Sequence, residues 1–267
     1  MKKNKSLLFA LVLLLSVFFT SCQKVIQLDL SSSVPQLVIQ GNIYDWSGPY
    51  VVKISKTVNF DAPSIHPSVN NALVTISDNT GITENLSQIA DGTYVTSTIR
   101  GILGRTYYLT VKVDGVTYTA SSTMREAVKI DSIYYKKAIF GGGNVIVLDF
   151  NNLPNVENYY RVINFVNGNQ STGFNIFSNF TSKATEINYT IMSTNFTPTP
   201  TRPKLEKGDV IEVWLECIDK GVFEYFRTAN SEGGQNASPA NPVSNISNGA
   251  LGYFNACTVR KDSIIYP

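Results

Sequence analysis

The chain has 267 residues, enough for one large β domain or two smaller ones, with 22 Lys+Arg against 20 Asp+Glu and only 16% charged residues. Lys2, Lys3 and Lys5 lie ahead of residue 21 and no acid does, so the remainder carries 19 basic against 20 acidic residues, formally −1. That balance leaves neither a basic nucleic-acid footprint nor a polyanionic tail, and it excludes nucleic acid as a partner.

The three lysines precede an apolar Leu7–Phe19 run, the charged and apolar parts of a secretory signal over residues 1–21. The run is short of the ~20 residues a helix needs to span a bilayer. Thr20 and Ser21 are small residues ahead of Cys22, which resembles the lipidated first residue of a bacterial lipoprotein. The plainer alternative is ordinary cleavage that leaves Cys22 as a free thiol. Several acyl chains of the palmitate class, each worth about 0.8 kcal/mol per buried methylene, hold a protein firmly where one chain binds marginally. Residues 22–34 then read as a tether ending in Ser31-Ser32-Ser33, and contact with the membrane is through lipid only.

From Pro35 the pattern is a succession of short strands. Gln36–Tyr44 is followed by the turn cluster Asp45–Pro49, and Tyr50–Thr57 alternates. Ala72–Asp78 and Ile82–Ile89 flank Asn79-Thr80-Gly81, and Thr93–Thr98 follows Asp91-Gly92. The clearest local signal is Tyr107–Val113, Asp114-Gly115, Val116–Ser122. A two-residue Asp-Gly loop favours a type I′ turn, which pairs Val113 with Val116, Val111 with Tyr118 and Leu109 with Ala120. Residues 35–124 therefore read as an immunoglobulin-like β-sandwich.

Met124–Ala127 lacks periodicity and reads as the join to a second β-rich domain, a barrel or sandwich over 125–267. Its strands are Lys129–Ile139, Val145–Asn151, Asn158–Asn167, Thr172–Phe180, Glu186–Met192 and Asp209–Asp219, with another in the Leu251–Val259 run. Gly141–Gly143 and the proline-rich Phe196–Pro203 are loops. Gly221–Asn230 is the only helical-looking piece, with Asp219 as its cap. The fold class is thus all-β with one short helix.

Once Cys22 carries lipid, Cys217 and Cys257 remain as an even pair, either a disulfide in an oxidising compartment or two small buried hydrophobes. The single histidine, His66, sits in a polar loop, so a Ser-His-Asp or Cys-His set requires it as base. Glu212 and Glu216 share a strand face but lie about 13 Å apart at ~3.3 Å per residue, beyond the roughly 5–9.5 Å of a glycosidase pair. Asp78–Gly81 lacks the spaced acids of a calcium loop, and Gly141–Gly143 has no Lys-Ser/Thr after it. These residues assign no catalytic group, metal site or cofactor. Trp46, close to Tyr44 and Tyr50, either packs the turn or stacks on a sugar ring or partner. Trp214 alternates with Glu212 and Glu216, and either packs in the core, the default for its type, or sits on a half-exposed face. Asp131-Ser132-Ile133 and Asp262-Ser263-Ile264 each resemble an O-glycosylation tripeptide, with Ser132 and Ser263 as the acceptors.

The segment Ser238–Phe254 is the most idiosyncratic. Pro239 and Pro242 fix φ, Asn241 and Asn245 can close Asx turns, and Gly249 and Gly252 permit positive φ. It reads either as an ordered loop locking the last strand in place or as a partner-docking loop, with Pro239, Asn241, Pro242 and Asn245 as its binding residues. Together with Gly48–Val52, Ala72–Asp78 and Gly104–Leu109, this segment resembles the domain-of-unknown-function 4249 family of Bacteroidota lipoproteins. The resemblance implies an outer-membrane lipoprotein of two β-rich domains, on the periplasmic or cell-surface side, often encoded beside a TonB-dependent receptor. It assigns no catalytic residues and leaves the ligand open. The expected role is that of a non-enzymatic accessory to such a receptor in nutrient uptake. The alternatives are a stand-alone surface binder of carbohydrate or peptide, and a structural or adhesion module.

Overall fold

The computed structural model describes residues 34–59, 65–137, 144–153, 156–179, 185–191, 205–231 and 241–267. The first half of these gives β1 (Leu37–Tyr44), β2 (Val51–Lys56), β3 (Leu73–Asp78), β4 (Thr83–Asn85), β5 (Ser87–Ala90), β6 (Thr93–Val95), β7 (Thr106–Val113) and β8 (Val116–Thr123). The second gives β9 (Ile130–Lys137), β10 (Asn144–Asn151), β11 (Tyr159–Val166), β12 (Asn169–Ser178), β13 (Glu186–Ile191), β14 (Val210–Ile218), the helix α1 (Lys220–Ser231) and β15 (Leu251–Ile265). The fold is all-β and sandwich-like, and its described strands close no barrel. The Gly141–Gly143 and Phe196–Pro203 loops and the 22–34 tether, apart from Val34, lie outside the described residues.

The β7–β8 hairpin has the expected register, with Val113 opposite Val116, Val111 opposite Tyr118 and Leu109 opposite Ala120. Asp114 and Gly115 both adopt positive φ, 50° and 79°, as a type I′ turn demands. Leu109, Val111, Val113 and Ala120 are buried in one core, and Thr110, Lys112, Thr117 and Thr119 occupy the other face.

The expected boundary at 124–125 is not where the chain divides, because Pro35–Pro267 form one compact unit. A single eight-stranded sheet runs β12-β11-β14-β15-β1-β2-β6-β5 and joins both halves. Its hinge is the fifteen-residue β15. The first part of β15 pairs parallel with β1, from Val38–Leu251 to Tyr44–Cys257, and the rest pairs antiparallel with β14. Gly252 permits the parallel contact: its φ is +99°, and a Cβ there would lie 1.9 Å from the Ile39 carbonyl oxygen.

Two smaller sheets cover the inner face of this long one. The sheet β4-β3-β7-β8 closes a core around Ile39, Ile43, Val52, Ile54, Ile76, Leu109 and Phe254. The sheet β13-β10-β9 closes a second around Leu148, Phe150, Tyr160, Val162, Val213 and Leu215. On the outer face α1 lays Val222 and Phe226 against Tyr159, Ile218, Tyr253 and Cys257. Asp219 caps α1 by accepting from the Val222 N–H at 3.0 Å.

The cysteines follow the second of the two readings. Cys217 and Cys257 are free and buried. Cys217 lies opposite Thr258, so Cys257, one residue earlier, points through the other face of the sheet. One thiol packs in the second core and the other beneath α1, and burial pushes both thiols up.

Candidate functional site

Among the described residues, the first part of β15 has a strand on one side only. On its other side, polar side chains take the place of a strand. The Asn245 carboxamide bonds both backbone groups of Phe254: Nδ2 donates to its carbonyl at 2.8 Å, and Oδ1 accepts from its N–H at 3.0 Å. The Ser244 hydroxyl donates to the Gly252 carbonyl at 2.9 Å, and the Ala256 N–H donates to Ser122 Oγ at 2.9 Å. Ser122 in turn donates to Asp219, the cap of α1. Buried backbone groups need such partners. The same segment closes the edge of β8. The Ser247 N–H donates to the Thr119 carbonyl at 2.8 Å, Ser247 Oγ accepts from the Thr119 N–H at 2.8 Å, and Asn248 Nδ2 donates to the Thr117 carbonyl at 2.6 Å.

Of the four binding residues expected in this segment, Asn245 is thus a latch between strands. Asn241 is exposed and donates to Gln36 Oε1 at 3.1 Å, Pro242 is half-buried, and Pro239 lies outside the described residues. A groove of about 490 Å³ lies between this segment and the outer face of β7–β8, lined by Tyr108, Thr110, Thr119, Ser121, Ser244 and Ile246 among others.

The second feature is an aromatic strip across the outer face of the long sheet. Register places Trp214 of β14 opposite Lys261 of β15 and opposite Ile163 of β11, with Phe165 two residues further along. Beyond the end of β1, Asp45 pins the next turn to β15. Its Oδ1 accepts from the Val259 N–H at 3.0 Å, and its Oδ2 pairs with Arg260 at 2.7 Å. The Tyr50 hydroxyl donates to the Trp46 carbonyl. Trp46 therefore lies flat on Tyr44, with centroids 4.2 Å apart and planes 9° from parallel, and meets the edge of Trp214 at 5.8 Å. Phe165 continues the strip 4.7 Å from Trp214. Lys261 holds its ammonium 3.6 Å from the Trp214 ring centroid and 4.7 Å from that of Trp46. Glu212 accepts from the Trp214 indole N–H. Trp46 remains 36% exposed, so the strip is open to solvent.

Beneath α1, beside the strip on the same face of the sheet, Arg161 and Glu216 form a buried ion pair, with Nε 3.5 Å from Oε2 and side chains 8% and 0% exposed. The guanidinium lies 4.3 Å from the Phe226 ring centroid. Burial pushes the Glu216 carboxyl up against the pull of Arg161, and burial together with that carboxylate pushes the Tyr44 phenol far above its usual range.

A family model described as "Domain of unknown function (DUF4249)" matches residues 23–263. The chain belongs to this family. The DUF4249 match starts directly after Cys22 and takes in both the latch and the strip. No curated protein matches the chain.

In this DUF4249 protein the two carboxylates weighed as a pair have separate fates. Glu212 holds an indole and Glu216 neutralises an arginine. His66 is exposed in its loop. Ser132 is half-buried and donates to Asp149 at 3.2 Å, whereas Ser263 is exposed opposite Glu212, beside the strip. Among the described residues no cluster of three or more His, Cys, Asp or Glu is placed to hold a metal ion. Cys22 lies outside the described residues. Sequence reading missed Arg161, Lys261 and the meeting of the two tryptophans. The one available signal was the alternation of Glu212, Trp214 and Glu216 along a single face.

Proposed function

We propose that this DUF4249 protein is a non-enzymatic outer-membrane lipoprotein, tethered by lipid on Cys22, that serves a TonB-dependent receptor as an accessory in nutrient uptake. The observation that carries the reading is the Met1–Cys22 segment, with the family match beginning at residue 23. Burial of the anchor's methylenes at about 0.8 kcal/mol each supplies the attachment. The arrangement of the body supports binding over catalysis, since its most buried carboxylate is matched by a guanidinium and its open aromatic surface lies on rigid strands. Co-purification from detergent-solubilised membrane tests the proposal. A TonB-dependent receptor is expected to co-elute with the protein, and recovery of the protein alone under every growth condition contradicts the partnership.

The Trp46–Trp214 strip favours a second reading, a stand-alone surface binder of carbohydrate or peptide. Glycan-array binding that is lost on Trp46→Ala would support it, and an array with no signal would oppose it.

A further inference from the structure

We infer that the Trp46–Trp214 strip binds a saccharide bearing a carboxylate, with Lys261 as the group that receives the acid. The inference rests on the binding role proposed above and is independent of the receptor partnership. The strip offers flat ring surface bordered by polar groups: Lys261, Glu212 and Ser263 stand on the same face of β14 and β15. A pyranose has the matching duality, with a C–H face for the rings and a rim of hydroxyls for the polar border. A wholly apolar partner would instead bury Lys261 and Glu212 without compensation.

Lys261 selects among sugars, because Glu212, the acid on the same face, is engaged by the Trp214 indole N–H. The neighbouring cation, Arg260, is already paired with Asp45 at 2.7 Å. Lys261 is exposed and, among the described residues, meets no carboxylate within 4.0 Å; its ammonium rests on the two indoles instead. A solvent-exposed cation–π contact is weak. A ligand carboxylate offers the ammonium a charge-assisted hydrogen bond. In moving to it, Lys261 uncovers the ring surface against which the sugar lies.

The platform itself does not need to be ordered on binding. Trp214 is fixed by Glu212, and Trp46 by Tyr44 and the Asp45 turn, so little side-chain freedom remains to be lost. The strip also lies at the end of β1 away from Pro35, roughly 25 Å along the strand at ~3.3 Å per residue.

The chain has two tryptophans, and both are in the strip, so tryptophan emission reports on this surface alone. The detergent-solubilised full-length protein is titrated with galacturonate and glucuronate trisaccharides, a neutral galactose trisaccharide and triglutamate. We expect a saturable emission change with at least one acidic trisaccharide and about tenfold weaker binding of the neutral sugar, a difference of about 1.4 kcal/mol. Lys261→Gln is expected to reduce acidic binding to the neutral level with an unchanged melting temperature, while Lys261→Arg retains it. Silence toward both acidic saccharides overturns the inference, as does equal binding by Lys261→Gln. A triglutamate response equal to or above that of the saccharides reassigns the strip to acidic peptides. Isolation of the protein without a receptor would leave these titrations unaffected, so the two proposals fail separately.

Discussion

Replacing Asn245 with alanine separates a latch from a docking residue. The substitution removes two hydrogen bonds, at 2.8 and 3.0 Å, and leaves both the N–H and the carbonyl of Phe254 without that partner. Phe254 is fully buried, so solvent has poor access to the freed groups. Each lost bond is worth about 1 kcal/mol, and an orphaned buried group adds about 1–3 kcal/mol where water cannot reach it. Partial relaxation of the segment brings the total to about 2–4 kcal/mol. For a body of this size, that lowers Tm by roughly 5–15 °C. Circular dichroism melts of wild type and Asn245→Ala measure it. Asn245→Asp should do no better, because it sets a carboxylate oxygen against the Phe254 carbonyl. A Tm within about 2 °C of wild type would refute the latch. Should receptor co-purification then also be lost, Asn245 would belong to a docking surface.

Three further outcomes follow from buried or bonded groups. Burial pushes the Glu84 carboxyl up, but bonds from Ile99, Ser97 and Thr98 outweigh it and hold the group down to about 2. Its folded value is thus below the unfolded one of about 4.3. Its contribution is therefore complete above about pH 4 and lost as pH falls through about 2; the stabilities of wild type and Glu84→Gln should converge over that interval, and parallel curves would contradict the assignment. Glu216→Leu leaves the Arg161 cation buried without a partner and should lower stability by about 3–5 kcal/mol, and adding Arg161→Met should restore most of it. Unfolding by urea measures both, and a Glu216→Leu protein as stable as wild type would show that the pair is solvated. Denatured without reductant, the protein should present two reactive thiols, Cys217 and Cys257; none would mean the two are bonded to each other.

What could be read from the residues was local. Asp114-Gly115 set the turn, and alternation then set the register of β7 against β8, because a one-residue slip would turn Leu109, Val111 and Val113 out of the core. Asp219 announced α1 as its cap. The single unit was not legible, because β15 meets β1 across more than 200 residues of sequence and no local pattern marks a parallel partner. The 124–125 join looked like a boundary because its residues lack periodicity, yet Met124 is fully buried in the first core. Cys217 and Cys257 invited pairing by count, and only the register between β14 and β15 shows them on opposite faces. Trp46, Trp214 and Lys261 come together through two separate strand pairings, β14 with β15 and β15 with β1, so each looks solitary in the chain. Asn245 reads in sequence as a former of Asx turns, and its actual partner, Phe254, lies nine residues ahead on β15.

The measurement that bears most directly on the account is metabolic labelling with palmitate, followed by membrane fractionation, of wild type and Cys22→Ala. Label and outer-membrane recovery are expected for wild type, and neither for the variant. A Cys22→Ala protein that fractionates with the outer membrane as wild type does would contradict it.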